Sequence, residues 1–256
     1  MSVAPRNPEA GPARIPAVSL RGIHKAFGSH QALRGVDLDL FAGECLGLVG
    51  DNAAGKSTLT KIISGTYLPD EGTIALRGEA VRFSGPADAR ARAIEMVFQD
   101  LSLCDHIDVV GNLFLGREET KGPFLDRGKM LTDARKMLDA LEIRIPRLSA
   151  RVEKLSGGQR QAIAIARAAS FSPQVLIMDE PTSALAVAEV EAVLHLINRV
   201  KAKGVAVVLI THRLQDLFRV CDRVAVMYEG TKVAERDIHA TNLEDLVRLI
   251  VGGEHP

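Results

Sequence analysis

The strongest constraint on the fold is a segment of small residues, GDNAAGKST at positions 50–58, which follows the apolar run CLGLV and precedes LTKIISG. It matches the pattern G-x-x-x-x-G-K-[ST], and its neighbours predict a buried strand before it and a helix after it. Backbone N–H groups in such a loop and at the following helix start bind phosphate oxygens. We therefore predict a phosphate site at Gly50, Asp51, Asn52, Ala53, Ala54, Gly55, Lys56, Ser57 and Thr58.

Two side chains of this loop add specific chemistry. Lys56 supplies a positive charge for β- and γ-phosphates, and the hydroxyl of Ser57 suits Mg²⁺. The alternative is a helix start between two glycines whose lysine is merely solvated. A chance match to the pattern in a chain of this length is on the order of 1%, given a glycine usage of ~7%. The pattern therefore favours phosphate binding.

A pair of carboxylates ends a second apolar segment, VLIMDE at positions 175–180. Successive residues of a strand face opposite ways, so Asp179 and Glu180 can serve different atoms. We predict that Asp179 binds Mg²⁺ and that Glu180 polarises a water molecule for attack on a γ-phosphate. An acidic pair that only opens a loop before Pro181 is the alternative, and the loop at 50–58 makes it the weaker one.

The segment LSGGQ at positions 155–159 predicts a second helix start of unusual composition. Ser156 and Gln159 have the spacing of a capping box, with Gly157 and Gly158 in the first turn. Glycine costs roughly 1 kcal/mol relative to alanine in a helix, so two glycines there indicate that an anion approaches the backbone. Two phosphate-type helix starts imply either two phosphate ligands or one ligand shared between two chains.

The order of the patterns predicts an α/β fold. Apolar strands alternate with helical patterns, which is typical of a mostly parallel sheet with helices on both faces. The segments VSLRGIHKAF and LRGVDLDLF alternate apolar and polar residues and predict half-buried antiparallel strands. Helical spacing between 102 and 150 predicts a helical insert, shown by Met130, Ala134, Met137, Leu138 and Leu141.

Composition limits the partners and the location. Of the 256 residues, 32 are Lys or Arg and 32 are Asp or Glu, so no basic excess indicates a nucleic-acid partner. The three cysteines lack metal-ligand spacing and are typical of reduced thiols in the cytosol. The longest apolar runs are far shorter than the ~20 residues that span a bilayer, so we expect any membrane role to be peripheral. Residues 1–16 lack a signal-peptide core and predict a disordered lead-in.

Together these motifs resemble the ATP-binding subunit of ABC transporters, from about Val18 to the C-terminus; LSGGQ is the specific mark of that family. The resemblance implies a P-loop NTPase ABC ATPase fold in one domain, 17–256, with a mostly parallel core sheet, an antiparallel β subdomain and a helical subdomain at about 100–170. It implies ATP and Mg²⁺ as ligands. It also implies two subunits packed head to tail, in which each LSGGQ closes over the ATP on the opposite P-loop.

The resemblance assigns roles to three weaker signals. Phe27 matches an aromatic residue that stacks on adenine, although its pattern alone predicts strand packing. Gln99 matches a glutamine that contacts Mg²⁺ or water and senses the membrane partner. His212, directly after the apolar run VVLIT, matches a histidine that contacts the γ-phosphate.

Two positions depart from the family pattern. Ala53 stands where many members have glycine, and alanine costs roughly 1–2 kcal/mol if the position needs a positive φ. Ala186 stands where an aspartate commonly follows the motif SAL. The simple-sugar importers of the family often lack that aspartate, and the segment DEPTSALAVAEV resembles theirs. The segment at 98–118 is similar to the corresponding region of pentose and related monosaccharide importers, many of which carry two such domains.

The resemblance therefore implies an ATPase that powers monosaccharide import, most simply as a homodimer on the cytoplasmic face of the inner membrane. Its partners would be an integral-membrane permease and, indirectly, an extracytoplasmic sugar-binding protein. Two alternatives remain open: a soluble ABC ATPase not coupled to transport, and a weakly active regulatory subunit. The dense apolar residues of 99–118 predict an exposed groove where the permease docks, unless they only fill the interface between the core and the helical subdomain.

Overall fold

The computed structural model describes residues 14–252, so most of the predicted lead-in at 1–16 lies outside the described residues. The strands are, in chain order, β1 (Val18–Phe27), β2 (His30–Leu40), β3 (Cys45–Gly50), β4 (Glu71–Leu76), β5 (Glu79–Val81), β6 (Ile94–Val97), β7 (Thr120–Lys121), β8 (Phe124–Leu125), β9 (Val175–Asp179), β10 (Ala206–Ile210), β11 (Arg223–Tyr228) and β12 (Thr231–Asp237). The helices are α1 (Lys56–Ile63), α2 (Pro86–Ala91), α3 (Val109–Leu113), α4 (Arg127–Asp139), α5 (Gly157–Ala169), α6 (Val187–Ala202), α7 (Leu214–Val220) and α8 (Leu243–Val251).

The main sheet has six strands in the order β12-β11-β3-β10-β9-β6, and all of its pairings are parallel except β11 with β12. A second sheet, β2-β1-β4-β5, is antiparallel throughout. The mostly parallel core and the antiparallel strands at the start of the chain are therefore confirmed.

Buried side chains form a cluster on each face of the main sheet. Along β9, Leu176 and Met178 join one cluster, whereas Val175 and Ile177 join the other. The first cluster includes residues of α5 and α6, and the second includes α1 and the antiparallel sheet. Because both faces are covered, the central strands are apolar at nearly every position.

Residues 100–170 contain α3, α4, α5 and the two-stranded sheet of β7 and β8. The expectation that their dense apolar residues form an exposed groove is wrong for four of them. Val109, Val110, Leu113 and Phe114 are buried, and they pack in the same cluster as the main sheet. The reason is that α3 lies against α5, so its apolar side chains fill the core.

The short elements α2, α7 and the β7–β8 hairpin were not predicted from the sequence. Within residues 14–252, no helix combines the length and the apolar character needed to cross a bilayer.

Candidate nucleotide-binding site

The predicted site residues lie at the carboxyl ends of neighbouring parallel strands. The register places Ile210 of β10 opposite both Leu48 of β3 and Asp179 of β9. On the other side of β9, Val97 of β6 lies opposite Met178. The loops that follow these strands therefore meet at one edge of the sheet, which is where ligands bind in open α/β sheets.

Both glycines of the loop at 50–58 are required by close backbone contacts. A Cβ at Gly50 would lie 2.2 Å from the carbonyl oxygen of Met227, and one at Gly55 would lie 2.7 Å from that of Ala32. Gly55 also has a φ of 97° as the N-cap of α1. The loop is thus held between β11 and β2, and larger residues are excluded from both positions.

Ala53 has a φ of 65°, in the left-handed region. This is the condition under which its Cβ costs roughly 1–2 kcal/mol relative to glycine. The departure from the family pattern therefore carries a backbone penalty in this loop.

Lys56 is folded back over the loop. Its Nζ donates hydrogen bonds to the carbonyl oxygens of Gly50 and Asp51, each at 2.8 Å. Burial lowers the pKa of Lys56, and the negative charges of Glu180, Asp51 and Asp179 oppose that shift. The lysine is therefore a half-buried cation next to the strand-end carboxylates.

Asp179 is a half-buried carboxylate at the end of β9. Within the described residues its carboxylate forms no hydrogen bond or ion pair. Burial, followed by the charge of Glu180, raises the pKa of Asp179, and Lys61 and Lys56 oppose the shift. A carboxylate in this situation is stabilised by a cation, so the donor set of Asp179 and the exposed Ser57 hydroxyl fits Mg²⁺.

Glu180 follows directly and has a φ of 53°, which is rare for a residue with a Cβ. Its amide donates to the carbonyl of Ile210 at 2.9 Å, which ties it to β10. Its Oε2 lies 2.7 Å from Nδ1 of His212, a distance typical of an ion pair, although the contact lacks the angle of a hydrogen bond. The Glu180 side chain is 17% exposed and that of His212 is 71% exposed.

Gln99 and Phe27 both lie where solvent reaches them. Gln99 is exposed two residues after β6. Phe27 ends β1 and is 43% exposed, with its ring in edge contact with Tyr67 at 5.2 Å and with the Lys25 amine 5.6 Å away. The β1–β2 hairpin packs beside the phosphate loop through Ala32, so Phe27 is available at that side of the site.

The LSGGQ segment forms the capping box that its spacing predicts. Oγ of Ser156 accepts from the amide of Gln159 at 3.2 Å, and Oε1 of Gln159 accepts from the amide of Ser156 at 3.1 Å. A Cβ at Gly158 would lie 2.8 Å from the Cβ of Glu189. Packing within the chain therefore already requires this glycine. The sequence alone had indicated only the approach of an anion as the reason for it.

Two further contacts near the site were not predicted from the sequence. Glu189 accepts a hydrogen bond from the amide of Gly158 at 3.0 Å. The hydroxyl of Thr182 donates to Asp216 at 2.8 Å in a buried contact, which joins the loop after Glu180 to α7. Ala186 and Glu189 have the spacing of a capping box, although Ala186 lacks the hydroxyl of that motif. This spacing was the sequence signal that could have indicated a structural role for Glu189.

The fold and the site together define a class of protein. A glycine-flanked loop with a lysine joins a parallel strand to a helix, and carboxylates end a nearby strand at the same edge. This is the architecture of a P-loop nucleotide-binding protein.

Comparison with known proteins gives the family. Residues 33–183 match the ABC transporter family model. The chain is 44% identical to the xylose/arabinose import ATP-binding protein XylG of Sulfolobus acidocaldarius, over 91% of this chain and 93% of that protein. It is 41% identical to the fructose import ATP-binding protein FrcA of Rhizobium meliloti, over 95% and 97%. The chain belongs to the ABC transporter family, as the motifs predicted.

A solved structure of an ABC transporter's ATP-binding cassette in its ADP conformation is similar to this chain, with a TM-score of 0.78 and 26% identity. The match covers 93% of this chain and 99% of that one. The predicted ABC ATPase fold is confirmed, and the chain is an ABC-type ATPase that binds nucleotide.

Proposed function

We propose that this ATPase powers the uptake of a monosaccharide through an integral-membrane permease, with an extracytoplasmic sugar-binding protein as an indirect partner. The observation that carries the proposal is the similarity to the xylose/arabinose and fructose import proteins. In both cases it extends over more than nine-tenths of each chain. A peripheral position on the cytoplasmic face of the inner membrane follows from this role.

The loop at 50–58 binds the phosphates in this proposal, with Lys56 as the charge that faces the β- and γ-phosphates. Asp179, Ser57 and Gln99 hold Mg²⁺, which neutralises phosphate charge when bound. The support is the half-buried, unpaired carboxylate of Asp179 beside the start of α1. Phe27, which is 43% exposed, stacks on the adenine.

Glu180 acts as the base. A water oxygen attacks the γ-phosphorus, the bond from that phosphorus to the β–γ bridging oxygen breaks, and Glu180 accepts the water's proton. His212 contacts the γ-phosphate and keeps Glu180 oriented, since the two side chains lie 2.7 Å apart. Catalysis rests on positioning and charge stabilisation, because hydrolysis needs little covalent chemistry from the protein.

A second copy of the chain completes the site. In the proposed head-to-tail pair, Ser156, Gly157, Gly158 and Gln159 of one copy face the nucleotide on the other copy. The support is the N-terminus of the 13-residue α5, which carries the partial positive charge that favours phosphate.

The permease contact that we propose is a cleft of about 260 Å³ near the end of β6, and its lining includes Arg90, Glu95, Phe98, Leu115, Arg117 and Arg167. The arginines outnumber the single glutamate, so we expect a permease segment that presents an acidic side chain. Arg167 donates to the carbonyls of Leu101 and Ser102 at 2.9 and 2.8 Å, which ties the segment after Gln99 to α5.

Sugar uptake tests the function. Deletion of the gene from its host should abolish uptake of one of radiolabelled xylose, arabinose, ribose or fructose, and the wild-type gene should restore it. Lys56→Ala should fail to restore uptake although the protein folds, because only the charge of the phosphate loop is removed. Unchanged uptake of all four sugars in the deletion strain would contradict the proposal.

A further inference from the structure

One carboxylate joins the starts of two helices. Oε1 of Glu189 accepts from the amide of Gly158 in the first turn of α5, at 3.0 Å. Its Oε2 accepts from the amide of Ala186, the N-cap of α6, at 3.2 Å. Glu189 therefore links the LSGGQ helix to the loop that runs from Glu180 to α6.

The starts of the two helices pack closely around this contact. A Cβ at Gly158 would lie 2.8 Å from both Cβ and Cγ of Glu189, and one at Gly157 would lie 3.2 Å from Cδ2 of Leu185. Ala186 has no side-chain oxygen that could accept from the first-turn amides of α6, so of the two bonds of a capping box only the one from the Ala186 amide to Glu189 is present. Because Gly157 and Gly158 have no side chains, the start of α6 and the loop before it can pack closely against α5.

The contact places a negative charge where an anion is expected to bind. Hydrogen bonds from the amide of Gly158, the hydroxyl of Ser156 and the amide of Ala186 hold the pKa of Glu189 below its ordinary value. The carboxylate is therefore ionised at neutral pH. It engages donors of the first turn of α5 that a phosphate would otherwise use.

We propose that Glu189 is a built-in counter-anion that restrains the ATP-dependent pairing of two copies of this chain. The inference rests on the proposed head-to-tail pair, in which the γ-phosphate of the partner's ATP approaches Ser156 and Gly158. That phosphate meets a fixed carboxylate at the same helix terminus, so closure works against their repulsion. Glu189 is a positioning residue that sets how readily the pair closes, and it does not touch the reacting atoms.

The test compares dimer dissociation constants in the presence of Mg-ATP, measured by analytical ultracentrifugation. Glu180→Gln is the parent, because it blocks hydrolysis, and Glu189→Gln is added to it. The matched control adds Glu191→Gln, which removes the same charge from the same helix where the carboxylate pairs with Arg219. The substituted glutamine side chain keeps an oxygen for the Gly158 amide, and a thermal melt of each variant verifies folding.

We expect Glu189→Gln to lower the dimer Kd about threefold to thirtyfold, since each helix-terminal charge changes an equilibrium by a factor of about 2 to 5 and the pair contains two such sites. The difference should shrink in about 0.5 M NaCl, where charges are screened. The Glu191→Gln control should stay within about twofold of the parent.

Two results would overturn the inference in different ways. A parent that dimerises, with a Glu189→Gln variant whose Kd is unchanged or higher, would show that Glu189 only holds the two helices together. A parent that remains monomeric with bound ATP would reject the head-to-tail pair itself, and the role of Glu189 with it.

Discussion

Nδ1 of His212 lies 2.7 Å from Oε2 of Glu180, although the two residues follow different strands of the main sheet. The register of β9 with β10 sets this distance, because Asp179 lies opposite Ile210 and the Glu180 amide donates to the Ile210 carbonyl. The proposed base and the histidine that orients it are therefore placed by the sheet and not by a flexible loop.

We predict that His212→Ala lowers kcat about 100-fold and changes the KM for ATP by less than about threefold. In the proposed mechanism the histidine acts on the water and the γ-phosphate, while the phosphate loop holds the nucleotide. Steady-state ATPase assays measure both quantities. His239→Ala, which removes an exposed imidazole elsewhere, is the control and should leave both unchanged. A rise in KM at constant kcat would assign His212 to binding alone.

Much of this site was predictable because its chemistry lies at the ends of long apolar strands. Loop 50–58 and the pair Asp179 and Glu180 follow continuous apolar runs, and such runs in a parallel sheet direct their carboxyl ends to one edge. His212 was marked in the same way by the run before it. These patterns lie within short segments, so the sequence of this chain alone was sufficient to predict them.

Other features depend on contacts that no local pattern encodes. The density of apolar residues after Gln99 does not indicate whether these residues face solvent or the core. The packing of α3 on α5 is what buries those of α3 in the core. The short helix α7 falls below the length at which helical periodicity is distinct. The bond from Gly158 to Glu189 joins residues 31 positions apart, so it emerges only from the packing of α5 on α6.

Ala53→Gly should stabilise the protein. The φ of 65° penalises a Cβ by roughly 1–2 kcal/mol, and glycine removes that penalty, partly offset by the greater freedom of the unfolded chain. We expect a rise in Tm of a few degrees by scanning calorimetry. The neighbouring Ala54→Gly should lower Tm instead, because Ala54 is buried and has no positive φ. Equal shifts in the two variants would contradict this explanation.

Asp179→Asn should raise stability and abolish Mg²⁺-dependent ATP binding. Burial raises the pKa of Asp179, so its ionised form disfavours the folded state once the pH exceeds the ordinary aspartate range. The gain in Tm should therefore be seen at about pH 7 and should fade toward about pH 4, where the wild-type carboxyl takes up its proton. Thermal melts at the two pH values measure it. A gain that grew as the pH fell would refute the sign.

Leu115→Glu should reduce permease-stimulated hydrolysis several-fold and leave the basal rate of the isolated ATPase within about twofold. Leu115 is 41% exposed at the proposed permease cleft, and a carboxylate there would repel the acidic segment that we expect. The measurement is ATPase activity with and without the permease in proteoliposomes. Phe124→Glu makes the same kind of change at a 74% exposed position outside the cleft and should affect neither rate.

Asp108 lies in the same segment of the chain but is unsuited to a test of docking. It accepts from the Gly111 amide at 2.8 Å as the N-cap of α3, and it also pairs with Arg127. A lysine at this position would destabilise α3 by removing the cap. Any loss of activity would then report on folding and not on the permease.

Glu180 is the base of a Mg-ATP hydrolase in the proposed mechanism, and it is not among the residues that hold the nucleotide. Single-turnover hydrolysis of γ-labelled ATP by Glu180→Gln, with ATP affinity measured on the same preparation, tests this role most directly. We predict an affinity within about threefold of wild type and hydrolysis slower by at least about 100-fold, because only proton acceptance is lost. Hydrolysis near the wild-type rate at unchanged affinity would show that Glu180 is not the base.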